Sequence, residues 1–267
     1  ASTLTLPCGG VFASAGTTAT GVTFTSNFSD NNVTLTNVGT TAMTGIDFGS
    51  GLGTATFISN NNTIVLNQTA TAAVSANIYG IRANYTNATN TSSNNNVTIN
   101  QSQTTAASSG NAIAISIAGS STTITGSTNT ITLNQTGSGT GTFTGILVAL
   151  DVNGGSTTNN VTTNSITFNQ TTSVATGIAT PIFGVRANNT ATTALNITDN
   201  VFTVKQAVTG SGTYGNGTLN YIAMDAGHGA VNITGNTFNT AGSTIRGGGA
   251  MNCILGNTST LGGLLTI

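Results

Sequence analysis

Apolar residues recur along this chain at two nested periods. Within short stretches they alternate with threonine. Val97-Thr98-Ile99, Ile131-Thr132-Leu133 and Ile166-Thr167-Phe168 each put apolar side chains on one face of an extended strand and a hydroxyl on the other. The stretches themselves then recur. Each opens with Asn, and two residues on stands an apolar anchor: Val33, Ile64, Val97, Ile131, Ile166, Phe202 or Phe238, at steps of 31, 33, 34, 35, 36 and 36 residues. Four residues past the anchor, five successive copies carry Gln68, Gln101, Gln135, Gln170 and Gln206. A period in this range means stacked units, each too small to bury its own apolar face.

Two further strands are expected in every unit. One is a longer apolar run, often opened by Gly, as in Gly45-Ile46-Asp47-Phe48, Gly80-Ile81-Arg82 and Gly184-Val185-Arg186. The other is short and precedes the anchor, as in Asn160-Val161-Thr162. Gly, Ser, Thr and Asn fill the corners, and no segment shows a helical stripe. Asn196-Ile197-Thr198-Asp199-Asn200-Val201-Phe202 and Asn232-Ile233-Thr234-Gly235-Asn236-Thr237-Phe238 resemble the Asn-x-Ile-x-x-Asn-x-Phe signature of right-handed parallel β-helix repeats. The first four coils keep only the second Asn and the anchor. The resemblance implies an all-β right-handed parallel β-helix of about seven coils, 31–36 residues each. It leaves function open, because such a fold serves pectin-degrading enzymes, tailspikes, adhesins and surface fibres alike. Residues 27–250 are expected to form the coils, with 1–26 as an N-terminal strand and cap and 251–267 as a last coil and assembly edge.

Stacking predicts ladders. Asn31, Asn62, Asn95, Asn129, Asn164, Asn200 and Asn236 should line one inner corner, each amide bonding the next. A half-satisfied buried amide costs about 1–3 kcal/mol, so such a ladder should be complete or absent.

Composition narrows the function classes. Charged residues make up 3% of the 267-residue chain and Glu is missing, so the surface must be built from Thr, Ser, Asn and Gly. A net charge of -1 offers no electrostatic footprint for nucleic acid or an acidic membrane surface. No apolar run is long enough to span a membrane. No basic leader opens the sequence, so any secretory signal is expected to be already removed. The neutral, Thr-rich surface suits a secreted or cell-surface protein. Asn-x-Ser/Thr tripeptides occur 17 times, with Asn27, Asn67, Asn84, Asn134, Asn169, Asn196 and Asn232 among the candidates for N-glycosylation; Thr- and Asn-rich strands also generate such tripeptides for free.

Catalytic and metal chemistry find little to stand on. The acids Asp30, Asp47, Asp151, Asp199 and Asp225 are expected in separate columns, without the clustering a glycan-cleaving site needs. Asp47 and Arg82, 35 residues apart, should form a stacked ion pair on adjacent coils. Asp225 and His228 meet on a Gly-rich loop, which reads first as a hydrogen-bonded turn and second as a general base. No Cys/His set has metal-ligand spacing, and no cofactor motif occurs. Thr34, Thr98, Thr132, Thr167 and Thr203, interrupted by Val65, should form an outward column resembling the ice-binding face of some antifreeze proteins; threonine is also the ordinary choice on any strand.

The ends carry the functional expectation. Residues 2–6 and 262–267 are apolar, strand-prone and uncharged, whereas soluble solenoids cap their ends. Leu4, Leu6, Leu264, Leu265 and Ile267 are the expected assembly residues. Cys8 and Cys253 lie too far apart along the stack to pair within one copy, leaving an intersubunit disulfide or two buried free thiols. The expectation is a secreted structural protomer that polymerises head to tail by strand addition. The alternatives are an adhesive or carbohydrate-binding passenger of a larger surface protein, and a polysaccharide lyase or hydrolase.

Overall fold

The computed structural model describes residues 8–14, 23–49, 54–84, 88–118, 123–153, 158–173, 180–187, 192–208, 217–224, 228–241, 250–256 and 265–266. They form three parallel sheets that share one core. Sheet 1 stacks Cys8–Ser14, Met43–Gly49, Ile78–Asn84, Ala112–Ala118, Leu147–Asn153, Ile182–Ala187, Leu219–Met224 and Met251–Gly256. Sheet 2 stacks Thr23–Asn27, Thr54–Asn60, Ala88–Ser93, Thr123–Ser127, Thr158–Thr162, Thr192–Thr198, His228–Thr234 and Leu265–Thr266. Sheet 3 holds the anchor strands Asn32–Asn37, Thr63–Ala70, Asn96–Gln103, Thr130–Gly137, Ser165–Thr172, Val201–Val208 and Thr237–Ala241. A two-stranded patch, Ala107–Ser108 with Thr142–Phe143, decorates one flank. The chain visits sheets 1, 2 and 3 in turn, so this is the parallel β-helix that the periodicity predicts. Its stack also runs through both expected end segments: Cys8–Ser14 already pairs with Met43–Gly49, and Met251–Gly256 with Leu219–Met224.

Register follows the repeat. Val33, Ile64, Val97, Ile131, Ile166, Phe202 and Phe238 lie one above another. The five from Ile64 to Phe202 are fully buried. Aliphatic residues and Phe168 fill the middle of the core, and aromatic clusters fill both ends. Phe28, Phe48 and Phe57 meet with centroids 4.9–6.0 Å apart at one end, and Phe202, Tyr221 and Phe238 at 5.1–5.9 Å at the other.

The Asn ladder is complete. Each Nδ2 donates to the Oδ1 one coil ahead, at 2.9 Å from Asn31, 2.8 Å from Asn62, 3.0 Å from Asn95 and Asn129, 2.8 Å from Asn164 and 2.9 Å from Asn200. The backbone N–H of each donor residue reaches the same Oδ1 at 2.9–3.0 Å. From Asn62 onward, the second Nδ2 hydrogen goes to a carbonyl of the preceding coil, such as Ser92 for Asn129 at 2.9 Å. An interior rung therefore makes two donations and receives two through its side chain. The five glutamines form a second buried ladder of opposite sense, each Nε2 donating to the coil behind, at 2.7 Å from Gln206 and 2.9 Å from Gln170 and Gln135. It weakens to 3.4 Å at Gln101→Gln68, where Asn37 replaces the next Gln and leaves Gln68 Nε2 without a partner.

A single residue with positive φ precedes every ladder Asn and turns the chain from sheet 2 into sheet 3: Asp30, Asn61, Asn94, Thr128, Thr163, Asp199 and Gly235. Asn, Asp and Gly accept this conformation, but a β-branched residue is strained there. Close packing explains the glycines that open the sheet 1 runs. A Cβ on Gly80 would lie 2.4 Å from the Ala114 carbonyl oxygen and 2.5 Å from Val97 Cγ1. In the last complete coil Tyr221 takes the equivalent place, buried among Phe202 and Phe238 with its hydroxyl donating to the Asn239 carbonyl at 2.9 Å. Burial pushes its pKa up to about 12.

Two predictions test the corner. Asn129→Ala strands the donors of Asn95 in a buried site and should cost about 3 kcal/mol or more in chemical denaturation, against about 1 kcal/mol for the terminal rung Asn31→Ala; equal losses would refute a continuous ladder. Thr163 is exposed at φ 60°, so Thr163→Asn should raise stability by about 1 kcal/mol.

Candidate functional site

Two acids and two arginines share one column of sheet 1. Pairing runs Phe12, Asp47, Arg82, Ser116, Asp151, Arg186 and Ala223 in successive strands. The expectation that the acids avoid a common column is therefore wrong. Asp47 and Asp151 share this one, and Asp30 and Asp199 share the corner that precedes the Asn ladder. The column is hard to see in the sequence because its acids recur only every third coil.

The expected Asp47–Arg82 pair is present. Nε donates to Oδ1 at 2.8 Å, Nη2 contacts Oδ2, and the guanidinium lies 5.0 Å from the Tyr79 ring centroid. The hydrogen bond to Asp47 holds the Arg82 pKa above its ordinary value. An equivalent pair was not anticipated: Arg186 Nε and Nη2 reach the two Asp151 oxygens at 2.9 and 2.7 Å, with Phe183 under the guanidinium. The signal was available, since Tyr79-Gly80-Ile81-Arg82-Ala83 returns as Phe183-Gly184-Val185-Arg186-Ala187. Both acids are buried, Asp151 more deeply than Asp47. Each is engaged bidentately by its arginine, and three coils put them about 14 Å apart. Paired glycosidase carboxylates work at about 5–9.5 Å, so these two cannot act together on one bond.

His228 opens a sheet 2 strand and is buried, held by a hydrogen bond to the Ala187 backbone. Burial lowers its pKa, outweighing that bond. Asp225 lies outside the described residues. Among the described residues no three His, Cys, Asp or Glu side chains gather as a metal site, and no helix is long and apolar enough to cross a membrane.

Sheet 3 turns outward a polar face whose one charge among the described residues is Lys205, next in the column after Asn169. The expected threonine column is there, with Val65 within it and Asn239 at its end. Beside it stands a ladder that sequence reading missed. Asn100, Asn134 and Asn169 donate to the Oδ1 of the preceding coil at 2.7, 2.6 and 2.7 Å, down to Asn67. Its mark in the sequence is the Asn-Gln dipeptide repeated with the buried glutamines. Three of these residues, Asn67, Asn134 and Asn169, were read as glycan acceptors. Coils about 4.8 Å apart leave no room for bulky glycans on successive rungs, and each attachment would consume a donor. Asn196 likewise donates to Asn160 at 2.9 Å, and Asn232 pairs in the same column. Asn27 is exposed and accepts from the Ser29 hydroxyl. The Asn84 side chain lies outside the described residues.

At the far end, Met251–Gly256 is the last strand of sheet 1. Met251 continues the column of Met43, Ile78, Leu147, Ile182 and Leu219, all essentially inaccessible, yet it is 51% exposed, and Leu255 is 40% exposed. Cys253 is an exposed free thiol. The same column begins with Cys8, whereas Cys253 falls two residues further along, level with Gly10. A copy stacked in continuing register would therefore set Cys8 and Cys253 about 8 Å apart, beyond the roughly 7 Å limit for a disulfide. The exposure of Cys253 corrects the alternative expectation of two buried thiols. Of the other expected assembly residues, Leu265 pairs with Val231 in sheet 2, while Leu4, Leu6, Leu264 and Ile267 lie outside the described residues.

Comparison of the chain with protein families, characterised proteins and solved structures finds no match.

The buried imidazole gives a pH prediction. With its folded pKa below the ordinary 6.5, His228 contributes full stability above that value, and the contribution is lost as pH falls toward the folded pKa because the unfolded chain binds the proton first. Thermal stability should be flat between about pH 7 and 9 and decline below about 6.5. His228→Gln should flatten that decline between about pH 6.5 and 5; an unchanged profile would rule His228 out.

Proposed function

We propose that this chain is a secreted structural protein whose β-helix joins copies end to end, by strand addition, into an extracellular filament or surface layer. The observation that carries this reading is Met251. It stands in a core column at the open edge of sheet 1, where one more coil would bury it, and burial of such a side chain is worth about 1.5–3 kcal/mol. Among the described residues no strand pairs with the outer edge of Met251–Gly256, which offers backbone groups in the 4.8 Å register that every coil below already uses. The nearly uncharged chain would make the junction insensitive to salt.

A second reading rests on the outer face of sheet 3. Threonine hydroxyls and the Asn67 to Asn169 ladder form a rigid, neutral hydrogen-bonding lattice, a surface suited to cell-surface glycans if the solenoid is the adhesive passenger of a larger protein. Catalysis gains no support from acids that are already engaged by arginines.

Sedimentation and negative-stain electron microscopy separate these readings. The native chain should form concentration-dependent rods many coils long, and Met251→Lys with Leu255→Lys should leave single short rods with unchanged circular dichroism. Native protein that stays as single copies at high concentration would sink the filament reading, and glycan arrays would then test adhesion.

A further inference from the structure

We propose that the outer face of sheet 2 pairs filaments side by side, each copy packing this face against the same face of a second copy; this rests on the end-to-end assembly above. In successive coils one outward column of sheet 2 runs Thr56, Thr89, Thr123, Thr158, Ala194 and Ala230. Two residues further along each strand, a second column passes from Ile58 through Thr91 and Thr125 to Asn160, Asn196 and Asn232, and a third holds Asn, Ser and Thr alone, from Asn60 to Thr234. All of these side chains are at least partly exposed. Among the described residues no outward position of this face is charged or aromatic. Sheet 1, by contrast, turns Tyr79, Arg82, Phe183 and Arg186 outward, and sheet 3 carries Lys205.

The geometry of the face names its partner. Outward side chains repeat at about 4.8 Å along the axis and about 6.6 Å along each strand. A partner can meet every coil only if it repeats at the same pitch, and a second copy does so by construction. Hydroxyls and amides both donate and accept, so a face made of them complements itself, whereas a face of one charge sign repels its own copy. Short, β-branched side chains let two sheets approach to about 10 Å and interleave their methyl groups, as in a zipper between like strands.

The size of the face sets the strength of the contact. The coils from Thr25 to Ala230, three outward positions wide, cover roughly 650 Å² on each copy, just above the roughly 600 Å² a side at which specific interfaces begin. One pair of faces therefore holds weakly, and a single short rod stays single. Stacking in register keeps the faces of successive protomers on one side of a filament, so each contact raises the effective concentration of the next and paired filaments hold firmly. The contact is isologous. It uses up the face it joins, and pairing stops at two filaments.

The test reads width and mass per unit length of filaments by electron microscopy. Native filaments should be two β-helices wide. Thr91→Arg with Thr158→Arg, both part-exposed on sheet 2, should leave filaments equally long, with half the native mass per unit length and unchanged circular dichroism. Thr132→Arg with Thr203→Arg, the same change on sheet 3, should leave the pair intact. Should the sheet 2 double variant fail to fold, Thr125→Arg alone, at the centre of the face, gives the same reading. A sheet 2 variant that stays paired, or pairing lost only in the sheet 3 variant, overturns the choice of face. Native filaments one β-helix wide overturn the pairing and leave end-to-end assembly standing; their binding to an insoluble glycan, lost in the sheet 2 variant, would name the other occupant. A native chain that never polymerises overturns both.

Discussion

Everything in this structure depends on satisfying amides in a place with no water. The corner between sheets 2 and 3 buries a side-chain amide in coil after coil, and an orphaned amide there costs about 1–3 kcal/mol. Stacking solves the problem in one step, because each Oδ1 receives both the side-chain and backbone N–H of the previous rung while each Nδ2 reaches back to a carbonyl. The solution works only at one axial spacing and one register. The ladder therefore fixes the pitch to which the strands, the apolar columns and the glutamine ladder conform.

The rest of the interior adjusts around that pitch. Where sheets 1 and 3 approach most closely, the sheet 1 residue is Gly or Ala through six coils, and Tyr only in the last complete coil. The two Asp–Arg pairs act on the opposite face of sheet 1. Burying such pairs contributes little net stability but makes a slip of register costly, since a shifted strand would leave an uncompensated buried charge. In a chain with so few charges, placing four in one column gives a β-stack of near-identical coils a way to distinguish one alignment from another.

A regular stack has no intrinsic length, and its ends are where its chemistry is unfinished. Among the described residues, core columns that are sealed in the middle become exposed at Met251 and partly covered at Phe238 and Ile254. Assembly and end-capping are two answers to the same deficit. This is why the functional reading rests on the edges, and why flank features such as the surface Asn ladder support only a second reading.

The repeat made the fold legible in advance. Alternation with threonine fixed which residues face inward, the steps of 31–36 residues fixed which stack, and the recurring Asn named the ladder. These are local properties, set by strand geometry and by the need to satisfy one amide per coil. What needed the three-dimensional stack was everything reckoned across coils of unequal length. Asp47 and Asp151 share a column only when intervening residues are assigned to loops, the Cys8 and Cys253 columns differ by two residues, and the burial of Asp47 and Asp151 depends on what covers the outer face of sheet 1. Sequence sets the order and identity of the strands, but which residues share a column is decided by the loops that the stack places between them.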